Sequence, residues 1–189
     1  MKKILMIAVC VSASGFLFAQ TAQFGIKGGV NVASYHSNDN TDFNSVTSFH
    51  AGGLVHIHMT SRLAIQPELL YSGQGAENKP ADLKAKLGYL NVPVLAQYMI
   101  GDGFRLQTGP QVGFLLSAKL KSGESETDVK DSYSGVDFAW TFGAGYLFPG
   151  TGVGVDARYN LGLKDINEGG PAKVYNRVFA VGLFYQFKH

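Results

Sequence analysis

The chain has 189 residues, of which 46% are apolar, 12% aromatic and 16% charged, with 24 glycines, one cysteine and a formal net charge of +2. This length suits one domain or a small pair. Interior glycines destabilise helices and the aromatic content is too high for a disordered chain, so helical bundles and disordered tails are excluded.

The first nineteen residues predict an export signal. Lys2 and Lys3 precede an apolar run over 4–18, and Ala19 is a small residue at a plausible cleavage point. This order of basic, apolar and small residues is typical of a secretory signal peptide. The run is shorter than the ~20 residues that a transmembrane helix needs. Lipoprotein processing at Cys10 is disfavoured by the large Val9 before it.

We therefore assign 1–19 to a signal peptide and 20–189 to one β-barrel domain. Cleavage removes the only cysteine, which excludes disulfides and thiol sites from the mature chain. It also leaves 14 Lys and Arg against 14 Asp and Glu, because two of the 16 basic residues lie in the signal. The mature charge therefore gives no indication of a nucleic-acid partner.

Beyond Phe24 the sequence alternates with a period of two, which favours half-buried strands. In the segment 104–117, for example, Phe104 and Leu106 share a face, whereas Arg105, Gln107 and Ser117 share the other. Eight strands are predicted near 24–32, 49–59, 63–73, 89–99, 104–117, 136–148, 153–162 and 178–187.

The predicted connections alternate between short turns and long polar loops. The short ones lie at 60–62, 100–103 and 149–152, and the long ones at 34–48, 74–88, 118–135 and 163–177. An even number of strands with short periplasmic turns and long external loops is typical of an outer-membrane barrel. We predict an all-β fold, an eight-stranded antiparallel up-and-down transmembrane β-barrel, with both termini periplasmic.

The apolar face is predicted to point outward, to lipid. It carries fifteen aromatic residues, too many for the narrow interior of an eight-stranded barrel, whereas the polar face is rich in glycine. None of the 28 charged residues beyond residue 19 falls on the apolar face. A secreted soluble barrel of lipocalin type, with its apolar face inside, would show the same alternation and is the alternative interpretation.

Aromatic residues at the strand ends predict two interfacial girdles. The periplasmic girdle comprises Phe24, Tyr98, Phe104, Tyr146, Phe148, Tyr185 and Phe187. The opposite girdle comprises Phe49, Tyr71, Phe138 and Phe179.

Charged residues on the polar face predict a lumen charge network of Lys27, Glu68, Arg105, Asp156 and Arg158, with Asp137 near the loop end. Buried charges need partners and a small barrel leaves no room for an aqueous channel, so we interpret the network as lumen filling. The alternative is a selectivity filter for a small ion.

Other candidate chemistry is sparse. His56 and His58 share one face opposite Gln66 and are weak candidate metal ligands, but polar packing is the favoured interpretation. His36, Ser37, Asp39 and Asp42 form the nearest cluster of catalytic residue types, with no spacing that fixes them. We predict no enzyme activity, catalytic residue, metal or cofactor.

Three segments carry a family resemblance: 65–72 (IQPELLYS), 89–95 (YLNVPVL) and 109–116 (GPQVGFLL). Together they resemble the PorT-type outer-membrane β-barrel family of Gram-negative bacteria, over about residues 22–187. The final segment, 179–187, also resembles the aromatic-ended signal that the barrel-assembly machinery reads. The resemblance implies fold and location in the outer membrane, and it carries no catalytic residues.

The expected role is non-enzymatic, a structural or surface-interaction protein acting through four mobile extracellular loops. We expect a monomer whose partners are outer-membrane lipid, the barrel-assembly machinery and an extracellular protein or glycan at the loops. The loop aromatics Tyr35, Phe43, Tyr133 and Tyr175 are predicted to belong to that contact surface. The alternatives are transport of a small solute or ion through a gated lumen, and a secreted ligand-binding barrel.

Overall fold

The computed structural model describes residues 22–38, 43–78, 82–123, 125–168 and 172–187. The predicted signal peptide at 1–19 lies outside these residues. Within the described ranges, no helix has the length and apolar character needed to cross a membrane.

Eight long strands form a closed antiparallel barrel, which confirms the predicted fold class. They are β1 (Ala22–Ser37), β2 (Asn44–His58), β3 (Leu63–Asn78), β4 (Leu83–Ile100), β5 (Phe104–Ser122), β7 (Val136–Leu147), β8 (Val153–Gly162) and β9 (Val174–Gln186). Strands adjacent along the barrel pair antiparallel, and the last strand pairs with the first, with Gly29 opposite Gly182. Closure satisfies the backbone groups of both edges, as a membrane-spanning sheet requires.

The strands extend further toward the long loops than the sequence analysis predicted. β4 begins at Leu83 and β5 ends at Ser122, so both enter segments that were assigned to loops. A further short strand, β6 (Ser125–Asp128), pairs with the end of β5, and a 3₁₀ turn follows at Lys130–Ser132. Polar composition hid these extensions, although apolar and polar residues still alternate along them.

A bulge in β5 changes which side chains face outward. Gly88 of β4 pairs with Ser117, whereas the next residue, Tyr89, pairs with Leu115. The extra residue reverses the alternation beyond this point, because successive side chains of a strand point to opposite faces. Ser117 therefore lies on the outer face, beside the Tyr71 hydroxyl, and its predicted place on the lumen face is wrong.

The outer face carries the aromatic residues. All fifteen aromatics predicted to face outward are exposed on the barrel surface, from 37% for Tyr185 to 58% for Phe49. Inward positions are buried and mostly polar or small, as in the buried Lys27 and Asn31 of β1. At Gly154 the side chain must be absent, because a β-carbon there would collide with the inward Phe184 ring.

The short-turn end is closed by tight turns. The Thr60 hydroxyl accepts hydrogen bonds from the backbone N–H groups of Arg62 and Leu63, at 3.2 and 3.0 Å. Gly101 and Gly150 adopt positive φ values of 61° and 76°, a conformation that favours glycine. The ends of the eight strands are thus held in register on this side of the barrel.

Candidate functional site

A bidentate ion pair between Glu68 of β3 and Arg158 of β8 lies inside the lumen. Arg158 Nη1 donates to Glu68 Oε2 and Nη2 donates to Oε1, both at 2.6 Å. Both side chains are buried. The planar guanidinium matches the two carboxylate oxygens, so this pair holds two distant strands in a defined position across the barrel.

Asp156 joins this pair to a second cation. Its Oδ2 accepts a hydrogen bond from Lys27 Nζ and lies 2.8 Å from Arg158 Nε. Gln107 Nε2 also donates to it, at 3.3 Å. Lys27, Glu68, Asp156 and Arg158, here called the charge cluster, are formally neutral together, as buried charges require.

Amide side chains extend the charge cluster toward the short-turn end. Gln66 Nε2 donates to Glu68 Oε1 at 2.6 Å, which leaves Gln66 Oε1 to accept from His56 Nδ1 at 3.2 Å. Neutral His56 therefore carries its proton on Nδ1. Gln107 Oε1 accepts from Arg158 Nη2 at 3.1 Å and from Gln97 Nε2 at 3.0 Å.

Arg105 lies in the lumen but outside the charge cluster. Within the described part of the chain it has no carboxylate within 4 Å, and its Nε and Nη1 have no hydrogen-bond partner. Its guanidinium stacks over Phe184, 5.3 Å from the ring centroid. A cavity of about 190 Å³ at the short-turn end is lined by Arg105, His56, His58 and Gln186.

Asp137 is also separate from the charge cluster. It is buried at the long-loop end of the lumen and accepts a hydrogen bond from Asn176 Nδ2 at 2.8 Å. Although Asp137 lies near the loop end, its side chain is therefore enclosed and not solvated.

His56 and His58 are in contact, with ring centroids 4.5 Å apart and planes at 85°. Across the described ranges, no group of three or more His, Cys, Asp or Glu residues is placed to hold a metal ion. The pair supplies two nitrogen-bearing rings beside the cavity, which Asp102 also lines, but among the described residues no third ligand completes a metal site.

An apolar cap closes the long-loop end of the lumen. Its buried members are Tyr35, Ala76, Ala85, Leu87, Tyr89, Leu115, Ala118 and Ile166. The loop residue Ile166 is held by two backbone hydrogen bonds of 2.9 Å, one donated to Val174 and one accepted from Ser134. Only the alternation of β4, where Leu87 and Tyr89 share a face, signalled the cap in the sequence.

The apolar cap changes the predicted contact surface. Tyr35 is buried in it, and Phe43 and Tyr133 pack against it, with the Tyr35 and Phe43 ring centroids 5.5 Å apart. Tyr175 is half-buried. These aromatics were expected to be displayed by the loops, and for the first three that prediction is wrong because they close the barrel instead.

The aromatic residues near the strand ends form contacting pairs on the outer face. At the short-turn end, Tyr146 pairs with Phe148 and Tyr185 with Phe187, each with centroids 5.4 Å apart. At the long-loop end Phe49 and Tyr71 are 5.3 Å apart. The other residues of the predicted short-turn girdle, Phe24, Tyr98 and Phe104, are also exposed.

The cluster of catalytic residue types in the first long loop is not assembled in the described residues. His36 is exposed and Ser37 is buried, since adjacent strand residues point to opposite faces. Asp39 and Asp42 lie outside the described residues.

Solved structures share this fold. The chain is similar to Ail, the attachment invasion locus protein of Yersinia pestis, at 14% identity and a TM-score of 0.55, covering 88% of this chain and 99% of that one. It is also similar to Neisserial surface protein A, at 16% identity and a TM-score of 0.58, with the same coverage of 88% and 99%. At this identity the likeness concerns the fold alone. No curated protein matches the sequence.

Residues 18–168 match the family described as "Outer membrane protein beta-barrel domain". Together with the closed barrel and its outward aromatic face, this match supports location in the outer membrane and disfavours a soluble carrier with an apolar interior. The chain belongs to the outer membrane protein β-barrel domain family.

Proposed function

We propose that this outer-membrane barrel is a non-enzymatic surface protein that acts through the loops at its long-loop end. The observation that carries the proposal is the filling of the lumen. The charge cluster fills one section, and the apolar cap fills the section next to the loops. Since the interior is occupied, a partner is expected to bind at the outer surface and the loops.

The space between these two layers is small. A cavity of about 20 Å³ is lined by Asn31, His50 and Arg158 among others, which is room for about one water molecule. The interior of an eight-stranded barrel is just wide enough for its own side chains, so a passage wider than this cavity would require those side chains to move.

The loops are assigned to the cell exterior, because outer-membrane barrels have short periplasmic turns and longer external loops. Their exposed groups are mainly polar, including Ser125, Glu126 and Asp128 of β6 and Lys130 beyond it. A partner at this surface is therefore an extracellular protein or a glycan with polar groups. One structure of Ail is a complex with the heparin analogue sucrose octasulfate, so a sulfated glycan is included among the probes.

The test is binding of intact cells that display the barrel to immobilised heparin fragments and to extracellular-matrix proteins. Replacing 123–129 with a short glycine-serine linker removes β6 with its acidic Glu126 and Asp128 and should strongly reduce binding to a matrix protein. Binding to heparin fragments should not fall, because the removed carboxylates repel sulfate groups. The control replaces the short turn 149–152 in the same way. Equal binding to matrix proteins by wild type and the β6 variant, with both barrels folded, would contradict a contact role for this loop.

A second candidate function is passage of a small solute or ion through a gated lumen. It is favoured by one observation, the cavity at the short-turn end where Arg105 keeps two N–H groups unpaired among the described residues. Planar-bilayer recordings separate the two candidates. Steady single-channel steps that change in R105Q or R158Q would support transport and contradict the filled lumen.

We further propose a PorT-type membership, export by the signal peptide at 1–19, insertion by the barrel-assembly machinery, and a monomeric state. The segments 65–72, 89–95 and 109–116, which carry the family resemblance, support the PorT-type membership. The basic start and apolar run support the second. Outer-membrane fractionation with N-terminal sequencing of the mature protein tests export and the cleavage position together.

A further inference from the structure

Four lysines form a square on the outer face of the barrel at the long-loop end. Lys84 and Lys86 belong to β4, and Lys119 and Lys121 to β5. Lys84 pairs with Lys121 and Lys86 with Lys119 in the strand register. The bulge at Ser117 places the two β5 lysines on the same outer face as those of β4.

This lysine square holds more positive charge than its neighbours neutralise. Like charges directly opposite each other destabilise a strand pair. Glu126 of β6 compensates part of the charge, at 2.6 Å from Lys119 and 3.7 Å from Lys86. In the described ranges, neither Lys84 nor Lys121 has a carboxylate within 4 Å. In the register Glu77 lies opposite Lys84, Glu126 opposite Lys121 and Asp128 opposite Lys119, so four lysines have three acidic neighbours.

The lysine square faces sideways, over the outer aromatic belt. A groove of about 370 Å³ is lined both by Lys84, Lys86 and Lys119 and by the contacting rings of Phe49 and Tyr71. The Tyr71 hydroxyl lies beside Gly88 of β4. Its oxygen is 3.1 Å from the position that a β-carbon of residue 88 would occupy. Aromatic belts mark the membrane–water interface, so the ammonium groups lie at the level of lipid headgroups.

We propose that the lysine square binds the phosphate groups of a phosphorylated glycolipid in the outer leaflet. Lysine ammonium groups bind phosphate as point charges, and their long stems can lie along the apolar wall while the charges reach the headgroup. The phosphates would supply the negative charge that Glu77, Glu126 and Asp128 only partly provide. This inference goes beyond the contact role of the loops; it rests on location in the outer membrane and on the external orientation of the long loops given in the proposed function.

The test compares two double variants of the folded barrel, K84Q/K121Q and the control K130Q/K173Q. Both remove two lysines from the long-loop end, all exposed except the half-buried Lys84, so both change the net charge equally. Each purified barrel is titrated with a phosphorylated lipid A-type glycolipid and with its dephosphorylated form, and bound lipid is counted by native mass spectrometry. We expect affinity for the phosphorylated lipid to fall roughly tenfold to thirtyfold in K84Q/K121Q and to change little in the control.

The dephosphorylated glycolipid should bind the wild type and both variants equally weakly. Equal losses in the two double variants, or equal binding of both lipid forms by wild type, would overturn the proposal. A soluble heparin fragment serves as a third probe, and binding that depends on Lys84 and Lys121 for this glycan but not for the lipid would also overturn it. The single variant K121Q, with K130Q as control, replaces the doubles if K84Q/K121Q does not refold.

Discussion

Glu68 is the residue whose replacement removes both hydrogen bonds of the bidentate pair and leaves one unbalanced positive charge in the lumen. Its carboxylate receives both Arg158 terminal nitrogens at 2.6 Å, and removing one partner of such a buried pair is strongly destabilising. We expect E68Q to lower the free energy of unfolding by about 3–5 kcal/mol, measured by urea titration in lipid vesicles. The exposed E168Q should change it by less than about 0.5 kcal/mol.

The double variant E68M/R158M separates charge balance from packing. It leaves Lys27 paired with Asp156, so the lumen is formally neutral again. We expect it to recover more than half of the stability lost in E68Q. A double variant as unstable as the single would show that the pair acts through its shape instead of its charge.

Gly154 and Phe184 form a second residue-scale test. A β-carbon at 154 would lie 2.6 Å from both ε-carbons of the Phe184 ring, which itself packs against Arg105. We expect G154A to lower the free energy of unfolding by about 1–3 kcal/mol, as other overpacked interiors do. The urea midpoint of unfolding should return toward the wild-type value in G154A/F184L. If it does not, the contact between residue 154 and the Phe184 ring is not the cause of the destabilisation.

β6 is an element attached to the barrel by an exposed ion pair. A hydrogen bond from the Lys119 ammonium, together with its charge, lowers the pKa of the Glu126 carboxyl below its ordinary value of 4.5. A lowered carboxyl pKa means that the attachment is complete above the ordinary pKa and is lost as pH falls through the lowered one. A carboxyl ¹³C NMR titration should show this lowered pKa in wild type and a value nearer 4.5 in K119Q. The same pKa in both proteins would contradict the pairing.

The membrane-spanning part of the whole molecule has its apolar residues outside and its charges inside, the reverse of a soluble protein. Phe142 lies near the middle of β7 and is half exposed on the outer face. We expect F142K to cost about 2–4 kcal/mol of unfolding free energy in lipid vesicles, because a lysine at mid-depth contacts hydrocarbon. The matched change S125K, on exposed β6, should have almost no effect. Tolerance of F142K would contradict a membrane-facing surface at this position.

Most of the barrel could be predicted from the sequence because the alternation of apolar and polar residues is contained within each strand. The alternation that places Lys27 inside and Trp140 outside is carried by each strand alone, and steric limits on an eight-stranded interior decide which face points out. The ends of β4 and β5 could not be predicted by composition, since their lysines are typical of loops. The position of the bulge in β5 depends on the register of the neighbouring strand β4, and nothing in the sequence at Ser117 indicates it.

The amino-acid pattern was enough to predict the eight barrel strands, the faces of most of their residues and the charges enclosed in the lumen, because a period of two is the same in any barrel register. Which of these charges meet depends on the closed barrel, where Glu68 reaches Arg158 across the lumen and Arg105 stacks on Phe184. The tertiary structure likewise decided that Tyr35 and Ile166 fill the open end and that four lysines share one outer face. These contacts join residues far apart in the chain, and their geometry exists only after the sheet has closed.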